Sequence, residues 1–85
     1  MTDKRLFSIK DTKAQYYYPP QIYRNRGEAI RALTNSVNDP QHGLFNKNAE
    51  DFSLFEIGSW DEITGSVTVK DKEHVVDLVD LTKTE

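Results

Sequence analysis

The clearest pattern of apolar and polar positions predicts one short helix in the first half of the chain. Its apolar residues recur at helical spacing and form one stripe: Ala29, Ile30, Leu33 and Val37. Asn25 can cap the first turn, and Glu28 stands three residues later in the capping-box position. Residues 38–40 read Asn-Asp-Pro and end the helix, because the residue before a proline avoids the helical region.

Alternating patterns predict two strands. In residues 5–10, Phe7 and Ile9 share one face. Residues 52–60 form the stronger strand, with apolar side chains on both faces: Phe52 and Leu54 on one, Phe55 and Ile57 on the other. A strand buried on both sides needs a helix on one face and a second cover on the other. That cover could be the tyrosine-rich segment, the C-terminal segment or a second subunit.

A β-hairpin is predicted immediately after the second strand. Residues 61–65 fit a tight loop that closes on Gly65 with a positive φ, and residues 66–70 then return with Val67 and Val69 facing the core. Residues 74–81 allow either a strand or a short helix with Asp71 as its cap, and their valine content favours the strand.

The remaining segments are predicted to be connections. Residues 11–24 contain Pro19 and Pro20, which remove amide donors and fix φ, so an extended, partly polyproline-like segment over the surface is expected. Residues 41–51 form a polar loop in which Leu44 and Phe45 close the edge of the core. Together these elements predict an α+β fold, with a small antiparallel sheet of three to four strands and one α-helix packed on it.

The chain has 85 residues, so we expect one small domain spanning residues 1–85. It has no cysteine, which excludes disulfides and thiolate metal sites. A small chain without such cross-links can gain stability by self-association, and we expect a homodimer. No apolar run approaches the roughly 20 residues of a membrane span, and the start lacks the apolar segment of a secretory signal. We therefore expect a soluble, intracellular protein that does not associate with membranes.

No pattern typical of catalysis is present. His42 and His74 are the only histidines, and neither has a carboxylate or a second histidine at metal-ligand spacing. The serines lie in no Gly-x-Ser-x-Gly motif, and the four glycines are too dispersed for a phosphate-binding loop. Asp61 and Glu62 are adjacent carboxylates that turn chemistry explains better than acid–base catalysis. We expect no enzyme, no metal site and no cofactor.

Charge is divided unevenly along the chain. Residues 1–34 contain seven basic and three acidic residues, whereas residues 35–85 contain four basic and eleven acidic residues. The basic half also contains four tyrosines, which could stack on unpaired bases while neighbouring cations neutralise phosphates. The alternative is that two or three of these rings fill the core of a small protein. The candidate nucleic-acid contacts are Lys10, Lys13, Tyr17, Tyr18, Tyr23, Arg24, Arg26 and Arg31.

Several segments resemble the small nonstructural protein of gokushoviruses, the Microviridae that infect bacteria. The resemblance is carried by residues 6–14, 19–20, 25–31, 37–40 and 50–58. Its most specific motif is Glu-Asp-Phe-x-Leu-Phe-Glu-Ile-Gly at 50–58, followed by an aromatic residue and Asp. Asn48 and Ala49 depart from the pattern, which has His-Pro there, but they lie in a loop and affect no functional expectation.

The resemblance implies a nonvirion accessory of viral DNA metabolism, acting in the host bacterial cytoplasm, and it brings no catalytic residues. The expected partners are viral single-stranded DNA, the replication initiator complex that carries it, or both, in a protein that acts in single-stranded DNA synthesis and genome packaging. The alternative is a protein-interaction module without direct DNA contact. That module would dock its acidic half, including Glu56, Asp61, Asp77 and Asp80, on a replication initiator or a host factor.

Overall fold

A computed structural model describes residues 3–41 and 43–82 of the chain. In chain order, the strands are β1 (Asp3–Asp11), β2 (Tyr16–Tyr17), β3 (Gln21–Tyr23), β4 (Phe52–Asp61) and β5 (Ser66–Asp77). The helices are α1 (Arg26–Val37) and the short α2 (Leu44–Lys47), with 3-10 turns at Ala49–Asp51 and Leu78–Leu81. His42, considered above as a metal ligand, lies outside the described residues.

The five strands form one antiparallel sheet. β1 pairs with β4 on one side and with both β2 and β3 on the other, and β4 also pairs with β5. The α+β prediction is confirmed, with one main helix on a small antiparallel sheet. β1, β4 and the β4–β5 hairpin occur as predicted, and Gly65 closes the hairpin turn with φ 74°.

Helix α1 begins and ends where its sequence predicts. The Asn25 side chain accepts a hydrogen bond from the Glu28 amide at 2.8 Å. Glu28 reaches back to the Arg24 amide, at 2.9 Å, rather than to that of Asn25. Ala29, Leu33 and Val37 are buried, so the predicted stripe is the face that packs on the sheet.

The core lies between α1 and one face of the sheet. Its strands contribute Phe7, Phe52 and Leu54, and the segments after α1 contribute Phe45, Ala49 and Leu78. Of the two residues expected to close the core edge, only Phe45 is buried, while Leu44 is largely exposed.

The segment 11–24 differs from its prediction. Its prolines do not prevent sheet pairing, because β2 and β3 lie on either side of Pro19 and Pro20 and both pair with β1. The two strands are short, with only two and three residues, and they form an outer edge of the sheet, which is where proline is tolerated. The segment lies over the surface as expected, but the prediction that it is only a connection is wrong, because it adds two short strands to the sheet.

The prediction that Val67 and Val69 face the core is also wrong, since their side chains are 55% and 82% exposed. They pair with Trp60 and Gly58 at the end of the hairpin, on the side of the sheet that α1 does not cover. Residues 74–81, for which a strand and a short helix were both possible, contain a strand and a helical turn: β5 continues to Asp77, and a 3-10 turn then buries Leu78. Asp71 lies within β5 and caps no helix.

Candidate nucleic-acid interface

The face of the sheet opposite α1 is uncovered in the part of the chain that the structure describes, and it holds a compact aromatic and basic group. Side chains paired directly across two antiparallel strands project to the same face. Lys10 pairs with Tyr17, and Phe55 pairs with both Ser8 and His74. Lys72 joins them from β5. We call this group the tyrosine patch: Lys10, Tyr17, Phe55, Lys72 and His74.

The aromatic rings of the tyrosine patch contact each other edge to face. The ring centroids of Tyr17 and Phe55 are 5.8 Å apart, with an angle of 74° between their planes. Phe55 meets the His74 ring at 5.5 Å and 79°. Each contact fixes its neighbour's orientation. Tyr17 remains 37% exposed, so part of its ring is available to a ligand.

Two lysines flank the same ring. The Nζ atoms of Lys10 and Lys72 each lie 5.6 Å from the centroid of Tyr17, within cation–π distance. Neither lysine forms an ion pair with any residue within 3–41 or 43–82. The tyrosine patch thus carries two lysines that form no ion pair within the described residues.

His74 is anchored beside the patch. Its Nε2 lies 2.8 Å from Asp77 Oδ1, and the Ser53 hydroxyl donates to the same oxygen at 2.6 Å. These hydrogen bonds, from Ser53 first and His74 second, hold the pKa of the Asp77 carboxyl below its usual range. Asp77 therefore stays ionised at neutral pH and keeps the imidazole in place against Phe55.

The opposite side of the same strands holds a second charged group, the Glu56 cluster: Arg5, Arg26, Glu56, Lys70 and Glu73. Glu56 is only 1% exposed, and it receives hydrogen bonds from Arg5 Nη1 at 2.7 Å and Arg26 Nε at 2.7 Å. Lys70 Nζ completes its shell at 3.3 Å. Glu73 binds Arg26 and Lys70, each at 2.8 Å. The buried carboxylate is fully paired, as burial of a charge requires.

The pKa directions follow from these contacts. Burial alone would raise the pKa of Glu56, but hydrogen bonds from Arg26, Arg5 and Lys70 outweigh it and the pKa lies below its usual range. Hydrogen bonds from Arg26 and Lys70 lower the pKa of Glu73 to about 2. The hydrogen bonds to Glu73 and Glu56 raise the pKa of Arg26. At neutral pH, every member of the cluster is therefore charged.

An irregularity in β5 separates the two groups. Glu56 pairs with Glu73 and Gly58 pairs with Val69, so one residue of β4 faces residues 70–72 of β5. A bulge of this kind redirects side chains from their regular alternation. Lys70 reaches the Glu56 cluster, whereas Lys72 reaches Tyr17 on the other side of the sheet.

The sequence-predicted tyrosines divide between the surface and the core. Lys10 and Tyr17 lie together in the tyrosine patch. Tyr18 packs against Phe45 and Phe52 at centroid distances of 5.9 and 6.0 Å, and burial, followed by its contact with Tyr16, raises the pKa of its phenol. Tyr23 packs edge-on against Phe7 at 5.9 Å. These two rings match the alternative weighed above, in which part of the tyrosine group fills the core.

The predicted cations beyond Lys10 do not gather around the patch. Lys13 lies in the β1–β2 turn, 3.7 Å from Asp51. Arg24 precedes α1 and its Nε is 3.9 Å from Glu28, while Arg26 belongs to the Glu56 cluster. Arg31 lies on the exposed side of α1 and forms no ion pair within the described residues.

Three patch residues were missed as candidate contacts. The alternation of β4 already places Phe55 on the face opposite Phe52 and Leu54. Lys72 and His74 gave no comparable signal, because their approach to Tyr17 and Phe55 depends on the register and bulge of β5.

Within residues 3–41 and 43–82, no group of three or more metal-ligating side chains is close enough to hold an ion. No helix in the same ranges is long and apolar enough to cross a membrane.

Comparison with known proteins places the chain in a family of phage proteins. No match was found among curated proteins or among solved structures. The family model described as Phage ORF5 protein matches residues 4–81, which include both the tyrosine patch and the Glu56 cluster. The chain therefore belongs to the Phage ORF5 protein family.

Proposed function

We propose that this phage protein binds single-stranded DNA through the tyrosine patch, as a nonstructural accessory of DNA synthesis and genome packaging. The observation that carries the proposal is the partly exposed ring of Tyr17 beside two lysines that form no ion pair within the described residues. The resemblance to gokushovirus proteins supports the viral setting, in which the protein would act in the cytoplasm of the bacterial host.

The geometry suits unpaired bases. An exposed aromatic ring on a sheet offers a stacking surface to a base of any sequence, at about 1–3 kcal/mol per base. Such a base must be unstacked from its neighbours, which is far easier in a single strand than in a duplex. Tyr17 is held upright by Phe55, so little ordering of the ring is needed when a base arrives.

The charges suit a phosphate backbone. The Nζ atoms of Lys10 on β1 and of Lys72 on β5 lie over the Tyr17 ring, so a stacking base would displace them towards the phosphates on either side of it. By contrast, Arg26 is held by two carboxylates and has less to gain from a phosphate. Of the residues predicted from sequence, Lys10 and Tyr17 are central to the proposal, whereas Lys13, Arg24 and Arg31 lie outside the tyrosine patch and take no part in it.

The direct test is fluorescence anisotropy of a labelled single-stranded 30-mer, titrated with the protein at two salt concentrations beside a duplex of the same sequence. We expect binding that favours the single strand and weakens as salt increases, because phosphate contacts release counterions. Absence of binding at tens of micromolar protein and low salt would contradict the proposal.

Adjacent tyrosines provide a matched pair of variants. Tyr17→Ala should weaken binding roughly 5- to 150-fold, the loss expected for one stacked base. Tyr16 precedes Tyr17 in β2, and its exposed side chain projects to the other face of the sheet. Tyr16→Ala should therefore leave the affinity for DNA nearly unchanged. Equal losses in both variants would place the DNA elsewhere.

A second candidate is the protein-interaction module, which an exposed aliphatic surface favours. Ile22, Leu6 and Val69 share one row across the sheet, and Val67 lies beside Val69 on the same face. Val69 and Val67 are among the most exposed apolar side chains of the protein. An acidic docking surface is less well supported, because Glu56 is buried and paired within the molecule.

The predicted homodimer would use such a surface. Sedimentation equilibrium of the wild type and of Val69→Lys tests it: a dimer held by this face should dissociate in the variant, because a charge would be buried against apolar side chains. If the wild type stays monomeric at high concentration, the homodimer is contradicted, and a different protein would be the partner of this surface.

A further inference from the structure

A cleft on the α1 side of the sheet lies next to the Glu56 cluster and is distinct from the tyrosine patch. Its volume is about 440 Å³, and we call it the Arg5 cleft. Its lining includes three cations, two hydroxyl side chains and a buried carboxylate: Arg5, Arg24, Lys70, Ser59, Thr68 and Glu56.

The arginines of the cleft have unused donors. A guanidinium group has five N–H donors, and Arg5 uses one of them in its hydrogen bond to Glu56. Its side chain forms no other hydrogen bond within residues 3–41 and 43–82. Arg24 is 79% exposed, and its Nε is 3.9 Å from Glu28, too far for a hydrogen bond. Both guanidinium groups can therefore donate to a ligand.

The hydroxyl groups are also unused. Ser59 and Thr68 pair directly across β4 and β5, so their side chains share one face. Neither hydroxyl has a hydrogen-bond partner in the described ranges. Gly58 allows the two strands to approach here, since a Cβ at this position would lie 2.4 Å from the Thr68 carbonyl oxygen.

Glu56 does not oppose an anion in this cleft, because its charge is already compensated. Both of its oxygens accept hydrogen bonds from cations, and the carboxylate fixes Arg5 and Lys70 in position. Around the cleft, four cations (Arg5, Arg24, Arg26 and Lys70) face three carboxylates (Glu28, Glu56 and Glu73). One positive charge remains for a ligand.

We propose that the Arg5 cleft binds a phosphate group, through Arg5 and Arg24 with the hydroxyls of Ser59 and Thr68. Guanidinium groups match the paired oxygens of phosphate, and hydroxyls donate to the remaining ones. The phosphate can come from a phosphodiester of single-stranded DNA, a terminal 5′-phosphate or free phosphate. The first two sources rest on the proposed DNA-binding function, and free phosphate does not.

An abasic oligonucleotide removes base stacking on Tyr17 but still offers phosphodiesters to the patch lysines and to the Arg5 cleft, so variants of the cleft's own cations isolate the cleft. Its binding, measured by anisotropy at 0.1 M salt, should weaken about fivefold in Arg24→Gln, the loss expected for one single-strand phosphate contact. Arg31→Gln removes the same charge from an exposed position of α1 outside the cleft and should bind as the wild type. Equal losses in the two variants would overturn the proposal.

Tyr17→Ala distinguishes the two proposals. It should leave affinity for the abasic oligonucleotide unchanged while weakening binding of ordinary single-stranded DNA. If Tyr17→Ala leaves binding of ordinary single-stranded DNA unchanged as well, the stacking role of Tyr17 is contradicted, while the phosphate site in the Arg5 cleft is still supported by the effect of Arg24→Gln.

Amide NMR spectra of the full chain give an independent readout. Inorganic phosphate should shift the amide signals of Gly58, Ser59 and Thr68, and Thr68→Val should reduce the affinity measured from these shifts. Comparison of 5′-phosphorylated and 5′-hydroxyl oligonucleotides then identifies a terminal or an internal phosphate as the source. Shifts spread over all surface cations, without saturation at the cleft, would overturn the proposal.

Discussion

On the side of the sheet that α1 covers, the cations beside the core share two carboxylates, whereas on the open side the lysines next to Tyr17 have none within the described residues. The aromatic residues differ in the same way: Phe52 is buried, while Phe55, three residues later in the same strand, is partly exposed. Residues of one chemical type therefore form most of the stabilising ion pairs on one side, where Arg24 and the unused donors of Arg5 remain for a ligand, and stay unpaired on the other.

This contrast shows why residue type alone does not identify a binding site. Arg26 and Lys72 are both basic, but Arg26 contacts Glu56 and Glu73, whereas Lys72 contacts an aromatic ring. A cation paired at 2.7 Å with a buried carboxylate would have to break that contact to bind a phosphate with the same N–H group. Lys72 has no such contact to lose.

The largest expected difference between the two sides is in core packing. Phe52→Ala should lower the free energy of unfolding by about 3–5 kcal/mol, because it leaves a cavity among buried side chains. Phe55→Ala, in the same strand but on the open side, should cost about 1 kcal/mol, the scale of its aromatic contacts. Urea denaturation of both variants measures the difference, and equal losses would mean that the open side is covered in solution.

The buried carboxylate should have the next largest effect. Glu56→Gln should lower the free energy of unfolding by about 2 kcal/mol, since hydrogen bonds between cations and an ionised acceptor are replaced by weaker ones. Glu62→Gln is the matched control, because Glu62 forms only an exposed ion pair with Lys4 at 3.5 Å and should cost little. Similar values for both variants would show that Glu56 is not the centre of the cluster.

Acid should act on both sides of the sheet, because the pKa of Asp77 on the open side is lowered as well, but most strongly on the covered side. The pKa values of Glu56 and Glu73 are lower in the folded protein than in the unfolded chain, that of Glu73 reaching about 2. Their contribution is therefore complete above the ordinary carboxyl pKa near 4.5 and is lost as the pH falls from there towards 2. Thermal unfolding between pH 6 and pH 2 measures this loss, and Glu73→Gln should flatten the curve. An unchanged slope would contradict the assignment.

The smallest effect is expected at Val69. With its side chain 82% exposed, Val69→Thr should change the free energy of unfolding by less than about 0.5 kcal/mol. A larger loss in urea denaturation, dependent on protein concentration, would indicate that this surface is buried in an oligomer.

The sequence predicts the elements whose signals are local. The helix has its stripe and its cap at Asn25, β4 has its alternation, and the hairpin has Gly65 at its turn. Local patterns could not show the irregularity between Glu56 and Gly58 that changes the face of the following residues, so the prediction puts the valines of β5 on the wrong side. They also could not show that the segment containing Pro19 and Pro20 adds two short strands to β1.

The candidate site was predictable only in part, for the same reason. Lys10 and Tyr17 are close in sequence and could be grouped together, but Lys72 reaches them only because of the register and bulge of a distant strand. The pairing of Arg26 with Glu56 likewise joins residues 30 positions apart. Whether a cation is free or paired depends on such long-range contacts.

The outer edge of β5 has a consequence for behaviour at high concentration. Within the described residues, β5 pairs only with β4, so twelve residues present an open edge on which another chain could add a strand. Symmetric antiparallel pairing of two such edges around Asp71 would place Asp71 opposite Asp71 and Lys70 opposite Lys72. Pairing around Lys72 would likewise oppose Lys72 to itself and Asp71 to Glu73. Like-charge repulsion should therefore disfavour a dimer formed by two β5 edges in either of these registers.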